Sequence, residues 1–321
     1  MPPRRTLGVE EELFLVDRET WELAPGVERI LGPPGLKTEL FSCFVEATTG
    51  VCGSAEEALA ELTALRRVVR EAAEREGLGV AAAAAHPFAR SGTHEIVQEP
   101  RYLALLAERP AARRQIVCGL HVHVGVPSLE DSIERLEAIL PWLPAVLAVS
   151  ANSPYLDGLA DGSVSQRAAR LLELPRAGAP PELAGEGWAR AVEASGGDYT
   201  MNWWDVRPHP KLGTLEVRVA DQPTDVRRSA ALAALVQALV DAAEPRAPLD
   251  RDAYAEARLA AARGGAPTDD LLALVEPAAR ALGSWELVEE LRRPPEALRQ
   301  LEVGGRDGLV AATADIAART S

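Results

Sequence analysis

The sequence predicts an α+β fold, an antiparallel sheet with helices packed on one face and chemistry on the other. Three observations carry this. Strand-like segments in the first two thirds of the chain alternate with period two, their polar sides hold carboxylates, imidazoles and guanidiniums, and the last third (about 225–321) reads as helices divided by Pro/Gly turns. No internal repeat and no long low-complexity linker appears, so one domain over residues 1–321 is expected.

Residues 8–17 open the sheet, with Glu10 and Glu12 sharing a face with Phe14 and Val16. Three successive glutamates in a strand repel one another, and a bound cation would relieve them. Over 36–52, Glu46 has the parity of Phe44 and Thr48, and Glu39 lies seven residues before it. Ser54 and Glu57 form a capping box opening a helix to residue 76. A strand-like stretch over 78–85 ends at His86-Pro87, and a short helix spans 100–108. Residues 116–126 then place His121 and His123 on one face and Val122 and Val124 on the other; such a pair fits hydrogen-bonded residues or metal ligands equally. Ser128 with Asp131 starts a helix bent at Pro141 and Pro144, and 163–175 reads as a helix carrying Arg167 and Arg170. The stretch 203–225 organises the rest: Trp203 and Trp204, then Arg207 in an Arg-Pro-His-Pro turn, then an alternation setting Thr214, Glu216 and Arg218 against Leu215, Val217 and Val219. Thr224 or Asp225 caps a long helix to residue 243.

Composition bounds the function. A chain of 321 residues, 47% hydrophobic and 26% charged, can bury a large core. Its net charge of −14 and the lack of a Lys/Arg block argue against nucleic acid or an anionic membrane as a partner. Lysine occurs only at Lys37 and Lys211, so a cation meeting phosphate or carboxylate is expected to be a guanidinium. Cys43, Cys52 and Cys118 lack CxxC spacing and read as reduced, buried thiols of a cytoplasmic protein. The N-terminus runs straight into the first strand without an apolar signal segment, and the apolar run 138–151 is cut by two prolines and too short to span a bilayer. Neither GxxxxGK[ST] nor GxGxxG nor GxSxG is present.

Collected, the polar faces hold Glu10, Glu12, Glu39, Glu46, Glu216, His121 and His123, with Arg207 and Arg218. If these strands are neighbours, the carboxylates cannot all stay ionised without a counter-charge. An oxygen-rich set with an imidazole suits Mg²⁺ or Mn²⁺ better than zinc, and arginines beside it fit a phosphoryl group in transfer.

Gly-Val-Glu-Glu-Glu-Leu-Phe from Gly8, Val-Glu-Ala-Thr from Val45, Cys-Gly-Leu-His-Val-His-Val-Gly-Val-Pro from Cys118, Ser-Ala-Asn-Ser-Pro from Ser150 and the 203–221 motif closely resemble the type 2 glutamate–cysteine ligase family, the YbdK-like carboxylate–amine ligases. The matches recur in order from residue 8 to about 240. The resemblance implies a glutamine synthetase/guanido kinase-like catalytic domain whose concave sheet face binds ATP, Mg²⁺ and an amino acid. It implies an amide made through an acyl phosphate, with ADP and phosphate released. It implies Glu10, Glu12, Glu39, Glu46, His121 and Glu216 as metal ligands. His123, Arg167 and Trp204 would contact substrate, and Arg207 and Arg218 would act on the phosphoryl group. The chain departs from the family pattern at Phe44, Gly50, Gln166 and Ala257, which leaves the metal set intact and alters the substrate-facing shell. Glutamate is the expected carboxylate, and the amine stays open between cysteine and a relative of it. Two rivals remain: a phosphotransferase acting on a carboxylate or guanidine, and a degenerate relative that only binds nucleotide or amino acid. A homodimer is one option for the assembly.

Overall fold

A computed structural model describes residues 5–244 and 249–320; residues 1–4, from which the sequence was expected to run straight into the first strand, lie outside the described residues. The chain begins with strand β1 (Leu7–Asp17), a one-turn helix α1 (Val27–Ile30), β2 (Leu36–Thr38) and β3 (Phe44–Thr48). Helix α2 (Ala55–Arg75) and β4 (Leu78–Ala81) follow, then α3 (Pro100–Glu108), β5 (Leu120–Gly125), α4 (Leu129–Ile139), α5 (Leu143–Ser150) and α6 (Gln166–Leu171). A two-residue strand β6 (Ala177–Gly178), α7 (Gly187–Ala194) and a second short strand β7 (Trp203–Trp204) lead into β8 (Val206–His209) and β9 (Thr214–Val217). The remainder is helical: α8 (Val226–Ala242), α9 (Arg251–Ala262), α10 (Thr268–Leu282), α11 (Trp285–Glu289), α12 (Glu296–Asp307) and α13 (Leu309–Arg319).

Seven strands form one sheet in the order β2-β3-β1-β5-β9-β8, with β4 pairing the far half of β1, and every pair is antiparallel. The mixed helix-and-sheet architecture expected from the sequence is therefore present. Period-two patterning fixes the faces: Leu7, Val9 and Leu13 of β1 and Val122 and Val124 of β5 are buried on the side covered by α2 and α8, and Leu215 and Val217 of β9 on the side covered by α4. Helix α8 is apolar nearly all round because it lies between the sheet and α10 and α11.

The caps read from sequence hold. Ser54 accepts from Glu57 N, Ser128 from Asp131 N, and Asp225, rather than Thr224, caps α8 by accepting from Arg227 N. The Glu57 carboxylate closes its box on Gly53 N at 2.7 Å, one residue earlier than the standard motif. Three elements are shorter than expected. The 116–126 stretch forms ladder only from Leu120, because Val117 bridges Ala85 and Gly119 bridges Asp221 instead. The 78–85 stretch leaves the sheet after Ala81, where Ala82 N turns to the Thr320 hydroxyl and Ala84 N to Asn152 O. The 163–175 helix begins only at Gln166, since Ser165 bridges Ser153 and becomes the cap.

Glu11 points to the rear of the sheet and is fully buried. Arg66 of α2 meets it with two hydrogen bonds, Nε at 2.8 Å and Nη2 at 2.7 Å, while Ser229 Oγ (2.6 Å) and Gln222 Nε2 (2.9 Å) donate to the same carboxylate. Burial raises the Glu11 carboxyl, but Arg66 outweighs it and holds the group below its usual range. Cys43, Cys52 and Cys118 are free and buried, and burial pushes the Cys43 thiol up to about 12. Among the described residues no helix is long and apolar enough to cross a membrane.

Candidate active site

Residues directly opposite one another in an antiparallel pair share a face. The register therefore writes three rows across the front of the sheet. Lys37, Glu46 and Glu12 form one, Thr48, Glu10 and His121 the next, and Gly8, His123, Glu216 and Arg207 the third. Arg218 follows Glu216 by two residues and falls on the same side. Glu39 joins from the turn after β2, where its carboxylate accepts from Leu40 N at 3.0 Å. Of these side chains, Glu10, Glu12, Glu39, Glu46, His121, Arg207 and Arg218 line a cavity of about 720 Å³, together with Arg101, Arg167, Phe44 and both tryptophans, while His123 and Glu216 are buried and outside its lining.

The electrostatics divide the site in two. At one side, Glu39 faces Glu12 and Glu46; burial, then those two carboxylates, push its carboxyl well above the ordinary value. Lys37 Nζ reaches Glu46 at 2.9 Å, and Gly119 N donates to Glu12 at 2.6 Å. At the other side, Glu216 is 1% exposed and takes Arg207 Nε at 2.6 Å and Nη2 at 3.2 Å, with Arg218 Nη1 donating to the same carboxylate. Burial favours its neutral form, but the two arginines outweigh burial and hold the carboxyl far below the usual range. Glu10 lies between, with His121 Nδ1 at 3.2 Å and His123 Nε2 at 3.7 Å; against burial, the two imidazoles hold its carboxyl far down as well.

This donor set fits a divalent cation. Glu10, His123 and Glu216 each offer a ligand atom within 4.8 Å of the others. His123 Nε2 is buried with no hydrogen-bond partner among the described residues. The raised Glu39 carboxyl marks acids gathered without enough counter-charge. The placement brings His123, expected at substrate, into the group with Glu10 and Glu216, whereas His121 stands between Glu10 and Glu12, 3.9 Å from the latter.

Arg167 enters from α6 and is anchored by its guanidinium donating to Val219 O (3.2 Å) and Arg218 O (3.1 Å), with Asp221 at 3.6 Å. A side chain at Gly119 would overlap it, a Cβ falling 2.2 Å from Arg167 Nη2. Trp204 is almost wholly buried and shows only part of its surface to the cavity. Among the departures, Phe44 forms cavity wall and packs edge-on to Phe14 at 5.0 Å, whereas Ala257 is exposed on the outer side of α9. Beside it Arg258 turns inward to Asp205 with Nε at 2.6 Å, and Tyr254 donates to the same carboxylate at 2.7 Å.

Sequence reasoning missed several supports. Lys37 lies in the three-residue strand β2, too short to show a period, and Asp205, Asp221 and Gln222 lie outside the strands. Asp221 accepts from Asn152 N (2.9 Å), Ser153 Oγ (2.7 Å) and Ser165 Oγ (3.0 Å), partners brought from 56 to 69 residues away. The available hints were the Asn-Ser-Pro motif that supplies Asn152 and Ser153 and the 203–221 motif that contains Asp205 and Asp221.

The glutamate–cysteine ligase family 2 model matches residues 6–306. Two Rubrobacter xylanophilus proteins are similar in sequence. One, named "Putative glutamate–cysteine ligase 2-3", is 43% identical over 262 residues, 77% of this chain and 72% of the relative. The other, "Putative glutamate–cysteine ligase 2-1", is 39% identical over 278 residues, 81% of this chain and 74% of the relative. The fold is shared with the glutamate–cysteine ligase of Francisella tularensis solved with AMP, at a TM-score of 0.75 and 14% identity, covering 99% of this chain and 88% of that one. It is shared too with a bifunctional glutathione synthetase from Pasteurella multocida, at a TM-score of 0.71 and 15% identity over 98% of this chain and 52% of that one. The chain thus belongs to glutamate–cysteine ligase family 2 and is an ATP-dependent ligase of the glutamate–cysteine ligase type.

Proposed function

We propose that the protein, acting as one cytoplasmic catalytic domain, joins the side-chain carboxylate of glutamate to the amine of cysteine or a related amino acid through an acyl phosphate. The observation that supports this most is that clustered carboxylates with an imidazole (Glu10, Glu12, Glu39, Glu46, His121) and guanidiniums (Arg167, Arg207, Arg218) line one cavity, the two charges a metal–triphosphate complex needs. Glu12, Glu39 and Glu46 would hold Mg²⁺ or Mn²⁺ on one side and Glu10, His123 and Glu216 on the other, with His121 between. Bound there, the ions would neutralise the triphosphate and favour loss of ADP.

The chain's own groups do the rest. A substrate carboxylate oxygen attacks the γ-phosphorus in line as the bond to ADP breaks. Arg218 and Arg207, held by Glu216 at the cavity wall, meet the negative charge on the equatorial oxygens. Their anchoring fixes the guanidinium planes before the reaction, so little reorganisation accompanies it. Arg167, likewise anchored, is placed for the α-carboxylate of the amino acid, and Trp204 for its carbon skeleton. The amine nitrogen then attacks the acyl carbon, sheds a proton and displaces phosphate. Trp204 and Phe44, themselves buried, give that part of the cavity wall apolar surface that offers no partner to the water that would hydrolyse the acyl phosphate.

The test is ADP release from glutamate, ATP and Mg²⁺ with a panel of amino acids and amines, with mass spectrometry of the product. Stoichiometric ADP and a new amide, each requiring the amine, are expected. ADP and a phosphorylated product without an amide would make it a phosphotransferase, and absence of ADP release with every amine would leave a binding protein.

A further inference from the structure

We propose that Lys37 is a built-in stand-in for a divalent cation: in the metal-free protein its ammonium offsets the charge gathered at Glu12, Glu39 and Glu46, and an arriving ion displaces it. The inference rests on the reading that these carboxylates hold Mg²⁺ or Mn²⁺ and adds the residue with which the ion competes.

Lys37 stands on the edge strand β2 directly opposite Glu46, and Glu46 stands opposite Glu12 in β1. One ammonium thus ends a row of two carboxylates, with Glu39 two residues further along the chain. Lys37 Nζ donates to Glu46 Oε1 at 2.9 Å, and Thr48 Oγ1 donates to the same oxygen at 2.9 Å. Those two donors take both lone pairs of that oxygen, so a metal bond to it requires one of them to leave. Among the described residues no other lysine or arginine forms an ion pair with Glu12, Glu39 or Glu46, and Glu12 has only His121 at 3.9 Å.

The pair is of a kind that exchanges. The Lys37 side chain is 51% exposed, whereas that of Glu46 is 11% exposed. An ion pair open to water on one side contributes little, and a flexible stem lets the ammonium swing into solvent. The counter-charge of Glu216 is built differently: the Arg207 side chain is 8% exposed and also donates to Thr200 O and Asn202 O, which fixes it in place. A dication brings twice the charge of an ammonium and approaches a carboxylate oxygen to about 2.0–2.1 Å, closer than the N–H donor does, so it wins the exchange. Until it arrives, Lys37 relieves the repulsion between Glu46 and the carboxylates beside it.

Mn²⁺ binding to the chelator-stripped whole chain, with the free ion read by electron paramagnetic resonance, tests this without nucleotide or amino acid. Lys37→Met removes the competitor and is expected to bind Mn²⁺ about 3- to 10-fold more tightly than the wild type. Lys37→Arg restores a cation and is expected to lose that gain. Lys211→Met removes the same charge from the exposed turn between β8 and β9 and is expected to leave the affinity as it is, which separates competition from net charge. Equal or weaker binding in Lys37→Met, or the same gain in Lys211→Met, would overturn the proposal. Displacement is read directly in the wild type, because the chain has only two lysines and reductive ¹³C-methylation, which keeps their charge, gives a side-chain signal for each. The Lys37 signal is expected to shift on adding Mg²⁺ while the Lys211 signal stays, and a stationary Lys37 signal would overturn the exchange. Absence of Mn²⁺ binding in every protein would remove the metal reading together with this one. The expected ranking without amide formation would remove the ligase reading and leave this one standing.

Discussion

Glu10 and Glu12 stand on the front of β1 and Glu11 on the rear, and one position of offset separates two kinds of chemistry. The front pair faces a cavity with imidazoles and other carboxylates, and its excess negative charge is left for a cation to satisfy. The rear glutamate is matched within the protein by Arg66, which also donates to Pro223 O and Thr224 O and so ties β1 and α2 to the loop after β9. Gln222 joins the two faces, donating to the Glu11 carboxylate and accepting from Glu12 N at 3.2 Å. The contrast teaches that residue type does not set a role in this strand. What sets it is whether the counter-charge is built in or brought by a ligand.

Identical substitutions one residue apart should break the two faces differently. Glu12→Gln is expected to lower ATP turnover about 10³-fold or more with little change in the unfolding midpoint; comparable loss of both would merge the faces. Glu11→Gln leaves Arg66 buried without its anion and is expected to destabilise the fold by about 3–5 kcal/mol in urea denaturation. Replacing both partners, Glu11→Leu with Arg66→Met, should cost clearly less than Glu11→Gln alone, since neither charge is then stranded. A double variant as unstable as the single would show that the hydrogen bonds to the loop carry the effect.

Acid titration sharpens the contrast further because the two sides have opposite signs. Glu11 titrates below its ordinary 4.5 in the native state, so its stabilisation is present above that pH and is lost as pH falls through the lower native value. Glu39 titrates above 4.5, so the unfolded chain ionises first and stability is lost as pH rises past 4.5 toward the native value. Glu39→Gln should therefore raise the midpoint at neutral pH in chelator, and the gain should shrink or reverse with Mg²⁺. A midpoint unchanged in chelator would show that Glu39 is not under charge strain.

Much of the front face was legible before the fold was known. Alternation assigned Glu10, Glu12, Glu46, His121, His123, Glu216 and Arg218 to polar strand sides, and the capping residues located α2, α4 and α8. Partner choice was not legible. Nothing local says that Glu11 meets Arg66, 55 residues on, or that Ala257 is exposed while Arg258 next to it clamps Asp205. Nor does a two-residue strand such as Trp203–Trp204 carry a period to detect.

The sequence by itself determined which side of each strand a residue occupies, because side chains alternate whatever the neighbours are. Only the tertiary structure decided which strands lie side by side, which carboxylate found its own arginine, and which buried polar atoms stayed unmatched. Those outcomes depend on long-range register and burial, and a carboxylate's proton affinity is set by the charges folding places within a few ångströms of it.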